Sequence, residues 1–237
     1  MDISDLSYEK LISSEIHKQI GNITFVTATD GNHGRGVAWT ANQLKQKSVV
    51  YMPKGSSLER LKNIQAENAD ASITDLNYDD AVRLANENAK KYGWVVIQDT
   101  SWENYQDIPR WIIQGYSTMA YEAYTQMSQK PTHIFIQAGV GSLAGAITGF
   151  FANAYKEDKP IITVVEPETA NCIFRTAKAN DQKLHFVKGN MPTIMAGLAC
   201  GEPCDIGWNI LKNMLICHAC ADIFCKRNAL TRSTFIW

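Results

Sequence analysis

No stretch of this 237-residue chain approaches the roughly 18–20 consecutive apolar residues of a membrane-spanning helix, so no membrane partner is expected. Charge shows no excess of either sign. The 23 Lys and Arg and 24 Asp and Glu leave a net charge of -1, which gives no electrostatic case for nucleic acid or an anionic lipid surface. No internal repeat or low-complexity segment is visible. The opening residues Met1, Asp2, Ile3, Ser4 and Asp5 are acidic and polar, unlike a secretory signal, and a cytoplasmic location is expected. Six cysteines in a chain of this size do not make a disulfide scaffold. Cys172, Cys200 and Cys204 are spread out, whereas Cys217, Cys220 and Cys225 crowd the end. Cys217-His218-Ala219-Cys220 has the spacing of a zinc half-site or redox pair. No second pair lies at finger spacing and no strand leads into it, so no metal site is expected.

What the chain does have is an apolar share of 45%, enough for one large or two small cores, arranged in a regular rhythm. Leu6, Tyr8, Leu11, Ile12, Ile16 and Ile20 recur near helical spacing and predict a helix over 7–20. Strands are predicted at 23–28, 48–52, 71–74, 94–98, 132–137 and 161–165. Helical patterns fill 34–46, 57–68, 78–92, 109–128, 141–155 and 169–179. Ser56, Ser57 and Glu59 mark one helix start, Gly93 a stop, and Pro109 another first turn. Such alternation implies parallel sheets with right-handed crossovers, an α/β class. The polar stretch Gln126-Met-Ser-Gln-Lys-Pro131 is the expected boundary between a smaller domain over 1–127 and a larger one over 128–237.

Two glycine-bearing loops stand out, each between a strand and a helix. The first, Thr27-Ala-Thr-Asp-Gly-Asn-His-Gly-Arg-Gly36, packs an acid (Asp30), an amide (Asn32) and an imidazole (His33) around backbone donors at a helix start, a setting that suits an anion. A plain polar β–α loop is the bland alternative. His33 in such a loop is more often a structural hydrogen-bonder than a catalyst. The second loop, Gly139-Val-Gly-Ser-Leu-Ala-Gly145, lacks the Gly-Lys-Ser/Thr ending of a P-loop. It matches the dinucleotide pattern on Gly139, Gly141 and Ala144, and Glu166 ends the next strand about where a ribose-binding acid belongs. Dinucleotide binding is therefore a rival reading, and close packing without a ligand another.

Two glycine loops in two α/β halves, one armed and one of small residues, resemble the type II fold of pyridoxal-phosphate enzymes, the threonine synthase and serine dehydratase group. Within it, the motifs are similar to the diaminopropionate ammonia-lyase family. They are the first loop through Trp39, Gln98-Asp-Thr-Ser-Trp102, Ile108-Pro109, Trp111, Gln114-Gly115-Tyr116, Gln137-Ala-Gly-Val-Gly141, Val165-Glu-Pro-Glu168 and Ile194-Met-Ala-Gly-Leu-Ala-Cys-Gly-Glu-Pro203. The resemblance implies two three-layer α/β/α domains, the larger one incomplete, binding pyridoxal 5'-phosphate and a small-molecule amino acid. The activity implied is β-elimination of ammonia from 2,3-diaminopropionate, giving pyruvate and ammonia. Gly139, Val140, Gly141, Ser142 and Leu143 are implied to wrap the cofactor phosphate, and Asn32 to bond the ring hydroxyl. Thr29, Gly31 and His33, with their neighbours, are implied to receive the substrate carboxylate through backbone amides. Asp30 and Asp99 are the implied acid–bases, one for each enantiomer. Without the resemblance, Asp99 reads as a polar residue ending a strand. Full-length members are commonly homodimers.

In that group the Schiff-base lysine lies well upstream of the first loop, but only Lys10 and Lys18 precede it here, on an ordinary helical pattern. The resemblance also ends near Lys212, after which no strand–helix rhythm is expected. A chain truncated at both ends follows as an expectation, with a catalytically inactive remnant as the alternative to an active lyase.

Overall fold

The computed structural model describes residues 7–214 and the backbone of 217–220. Two compact units divide after Gln98, one over 1–98 and one over 99–237. The boundary expected at 126–131 therefore falls inside the second unit, because the helix Asp107–Gln126 before it packs on the helix Ser142–Tyr155 after it.

The first unit opens with α1 (Tyr8–Leu11) and α2 (Ser14–Ile20) in place of one helix over 7–20. Ser13 breaks the run, since its extended backbone and hydroxyl cap a fresh start by accepting the Ile16 amide at 3.3 Å. There follow β1 (Thr24–Ala28), α3 (Asn32–Gln43), β2 (Lys47–Met52), α4 (Leu58–Gln65), β3 (Asp70–Ile73), α5 (Tyr78–Tyr92) and β4 (Val95–Val96). The strands lie in the order β3-β2-β1-β4, all parallel. Right-handed crossovers place α3 and α4 on one face and α5 on the other, because the strand order reverses between β3 and β4. Ala38, Val50, Met52, Ile64 and Ala71 form one core cluster, and Val26 is fully buried as well. The reversal leaves a crevice beyond the carboxyl ends of β1 and β4, where such sheets bind ligands. The first glycine loop sits there.

The second unit contains α6 (Asp107–Gln126), β5 (His133–Gln137), α7 (Ser142–Tyr155), β6 (Ile161–Glu166), α8 (Cys172–Ala179), a 3₁₀ turn (Ala196–Leu198), α9 (Asp205–Leu211) and β7 (Cys217–Cys220). Its described strands run parallel in the order β5-β6-β7. Strand β7 corrects the expectation that the rhythm stops near Lys212: the C-x-x-C segment itself pairs with β6, Thr163 opposite Cys217 through Glu166 opposite Cys220. The side chains of Cys217 and Cys220, and all of Cys225, lie outside the described residues. Ile136, Ile147, Phe151, Val164, Ile173 and Leu211 form the core between the sheet and α7, α8 and α9. Among the described residues no helix is long and apolar enough to cross a membrane, and no group of three His, Cys, Asp or Glu is placed to hold a metal.

Candidate active site

In the first unit, β1 ends at Ala28 and α3 begins at Asn32, so Thr29, Asp30 and Gly31 make the turn. The Thr29 hydroxyl accepts the amides of Gly31 and Gly34 at 3.1 and 3.3 Å and so braces the loop from inside. That close approach explains Gly34, where an added Cβ would lie 2.0 Å from Thr29 Cγ2 and 3.1 Å from Val50 Cγ1. The Thr29 amide donates to the Tyr51 carbonyl at 3.0 Å. The amides of Thr29 and Gly31, expected to face a carboxylate, are thus committed within the chain. Among the described residues those of Asp30, Asn32 and His33 have no acceptor in the chain, and they lie at the start of α3.

Asp30 is buried and engaged at both carboxylate oxygens. Ser56 Oγ donates to Oδ1 at 2.6 Å, and the Arg60 guanidinium of α4 pairs with Oδ2. The stem of Arg60 crosses Gly31, with Cδ 3.8 Å from where a Cβ would stand. Asn32 is exposed. The His33 ring is engaged within the unit. Its Nε2 lies 2.9 Å from the Ile97 carbonyl, which can only accept, so Nε2 carries the proton and also reaches Thr27 Oγ1 at 3.1 Å.

Sequence reasoning missed what holds this loop. Gln98, fully buried, receives the Ala28 amide on Oε1 at 3.0 Å and gives Nε2–H to the Ala28 carbonyl at 2.9 Å. Its side-chain amide pairs with β1 much as another strand residue would, which is why β4 shortens to two regular residues instead of running over 94–98. The remaining valences go to Thr27 Oγ1 and Tyr78 OH, both at 2.9 Å. The one available signal was a glutamine closing a buried apolar run. Lys10 and Lys18, the two lysines that precede the loop, are solvent-exposed on α1 and α2.

In the second unit the loop after β5 is shaped by close backbone packing. Gly141 has φ 95°, and a Cβ there would lie 2.8 Å from Ile173 Cδ1. Gly207 of α9 backs onto the same turn, its missing Cβ falling 2.7 Å from the Gly141 carbonyl oxygen. The Cys204 amide donates to the Val140 carbonyl at 2.7 Å and ties the two segments. Among the described residues the amides of Gly139, Val140, Gly141, Ser142 and Leu143 have no acceptor in the chain. Consecutive amides without acceptors at the start of a 14-residue helix suit a phosphate group.

Asp99 meets that loop directly. Ser142 Oγ donates to the Asp99 carbonyl, so the hydroxyl proton is already used and only the Ser142 amide is left for an anion. Tyr116 of α6 donates to Asp99 Oδ2 at 3.0 Å. Burial, and then the Asp99 charge, push the Tyr116 hydroxyl well above the ordinary tyrosine range, so it stays a donor. Glu166, the acid of the dinucleotide reading, is buried and turned elsewhere. Its carboxyl oxygens accept the Ile173 and Phe174 amides at 2.9 and 2.7 Å and cap α8. Burial pushes it up to about 7 against those two donors, which favour the ionised form. Both oxygens are buried and serve the start of α8, so the residue is not placed as a ribose acceptor and the dinucleotide reading is not favoured.

Comparison with known proteins places the chain in a family. The family model for "Pyridoxal-phosphate dependent enzyme" matches residues 5–220, past the point near Lys212 where the likeness was expected to end. Diaminopropionate ammonia-lyase of Salmonella typhimurium is 54% identical over 225 residues, covering 93% of this chain and 56% of that protein. The enzyme of the same name from Escherichia coli is 50% identical over 90% of this chain and 53% of its own length. A crystal structure of the Escherichia coli enzyme superimposes with a TM-score of 0.82 at 48% identity, over 91% of this chain and 53% of that one. A threonine deaminase from tomato, Solanum lycopersicum, at 19% identity and a TM-score of 0.70 over 98% of this chain and 63% of that one, shares the fold. The chain spans about half the length of the curated relatives it matches.

Proposed function

The chain belongs to the pyridoxal-phosphate-dependent enzymes, and on that premise we propose that it serves the removal of ammonia from 2,3-diaminopropionate, leaving pyruvate and a second ammonia, a step of amino acid breakdown. The observation that carries the substrate is Asp30, a buried carboxylate beside the free amides of the first loop. Those amides suit an α-carboxylate, and a neighbouring acid suits a second, cationic amine.

When bound, pyridoxal phosphate supplies the electron sink that makes loss of a Cα proton and of the β-amino group feasible. The chain's own residues hold and orient the reacting groups. The amides of Gly139, Val140, Gly141, Ser142 and Leu143 hold the phosphate, and Asn32 offers its side chain to the ring hydroxyl. The amides of Asp30, Asn32 and His33 orient the substrate carboxylate. Asp30 and Asp99 move protons at Cα and at the departing nitrogen, each serving one enantiomer. His33 fixes the loop through Ile97 and Thr27 and takes no part in proton transfer.

The test is direct. Purified chain with pyridoxal phosphate and 2,3-diaminopropionate should release pyruvate and ammonia, and Asp30→Asn should abolish turnover of at least one enantiomer. Cofactor binding, seen as a change in its absorbance, without any pyruvate from either enantiomer would refute the lyase reading in favour of a catalytically inactive binding protein.

A further inference from the structure

Arg60 has no place in the proposed chemistry, yet it occupies the acid on which substrate choice rests. Its guanidinium engages both the Asp30 side chain and, at 3.5 Å, the Asp30 carbonyl. The partners differ in burial: the Arg60 side chain is 49% exposed and that of Asp30 only 9%. A half-exposed guanidinium can swing back into water without loss of hydration, provided that another cation takes its place on the buried carboxylate. A ligand ammonium offers the same carboxylate the same charge in a more compact form. Ser56 stays behind on Oδ1 and keeps the carboxylate aimed while the exchange takes place.

We propose that Arg60 is a displaceable clamp on Asp30, released when the β-ammonium of the substrate takes its position, so that the first loop favours diamino acids over amino acids with a neutral β-group. This rests on the functional reading above and adds to it a residue that sets specificity. Without a second cation the ligand leaves the clamp closed. With one, binding exchanges one ion pair for another.

Arg60→Met tests this, because the thioether keeps an apolar stem over Gly31 while removing the charge. With the cofactor-loaded chain, equilibrium titration should show 2,3-diaminopropionate binding about two- to fivefold tighter than to wild type, the range expected for releasing a weak competitor. Serine, with a hydroxyl in place of the ammonium, should bind unchanged. Arg60→Lys, which retains a competing cation, should stay within about twofold of wild type for both. Equal weakening of both ligands in Arg60→Met would assign Arg60 to the α-carboxylate and overturn the clamp, as would unchanged affinity for the diamine. A wild-type chain that binds the cofactor but not diaminopropionate would instead overturn the functional reading, and the clamp with it.

Discussion

Asp30 and Asp99 each stand just past the end of a strand, one in each unit, and their neighbours differ in kind. Asp30 is held by a cation and a hydroxyl, and the cation reaches it from the solvent side. Asp99 is held by a neutral phenol, Tyr116, while its backbone is tied by Ser142 to the amides suited to a phosphate. The loops differ in the same way. The first is kept in shape by hydrogen bonds among Thr27, Thr29, His33 and Gln98, and the second by absent side chains at Gly139, Gly141 and Gly207. A hydrogen-bonded loop can exchange partners with a ligand. A loop defined by close backbone contact has one shape, as a fixed phosphate requires.

Substitutions that separate hydrogen bonding from packing sharpen that contrast. The largest effect is expected from Gln98→Leu, which takes both hydrogen-bond partners from the buried Ala28 amide and carbonyl. A loss of roughly 4–5 kcal/mol in a denaturant melt is expected. A loss below about 1 kcal/mol would show that the first loop does not depend on these bonds. Gly141→Ala should cost roughly 3–4 kcal/mol, from overpacking against Ile173 and from positive φ together, and should abolish cofactor binding before the fold is lost.

Third comes pH. Glu166 holds its proton up to about 7 in the folded chain, against the ordinary 4.5 when unfolded. Its favourable contribution is therefore complete below pH 4.5 and fades as pH rises to about 7, by roughly 3 kcal/mol. Urea titrations should show wild type losing stability over that window relative to Glu166→Gln, whose own difference stays flat. A parallel pair of curves would mean that Glu166 is ionised throughout. The smallest change is Tyr116→Phe, at about 1 kcal/mol of stability. It should lower turnover of one diaminopropionate enantiomer roughly tenfold and leave the other within about twofold, since only Asp99 loses a donor. Equal loss for both enantiomers would break the assignment of one acid to each.

Much of the fold was legible because parallel α/β units write their rhythm into apolar spacing. β1, β2, β5 and β6 and the helices between them fall where the pattern places them. The failures have physical causes. Gln98 leaves the apolar code because a side-chain amide stands in for backbone pairing, and no periodicity reports that. Ser13 divides α1 from α2 by a cap that outweighs a continuous apolar stripe. The loop residues Asp30, Asn32, Gly139 and Gly141 stand out by their density of chemistry and glycine. Arg60 and Tyr116, which hold the two acids, lie on helices far along the chain, where an exposed arginine or a mid-helix tyrosine looks like any other. Glu166 was visible only through a rival reading: strand-end position alone does not tell a ribose acceptor from a helix cap.

The bare contact between Gly207 and the Gly141–Ser142 peptide has a thermodynamic corollary. With backbone against backbone there is no rotamer to adjust, so the disorder that the second loop gives up was surrendered when the chain folded. An arriving phosphate finds its donors already aligned and loses little to ordering the protein. Anything that widened this seam would return that freedom and weaken binding without touching a single atom of the ligand.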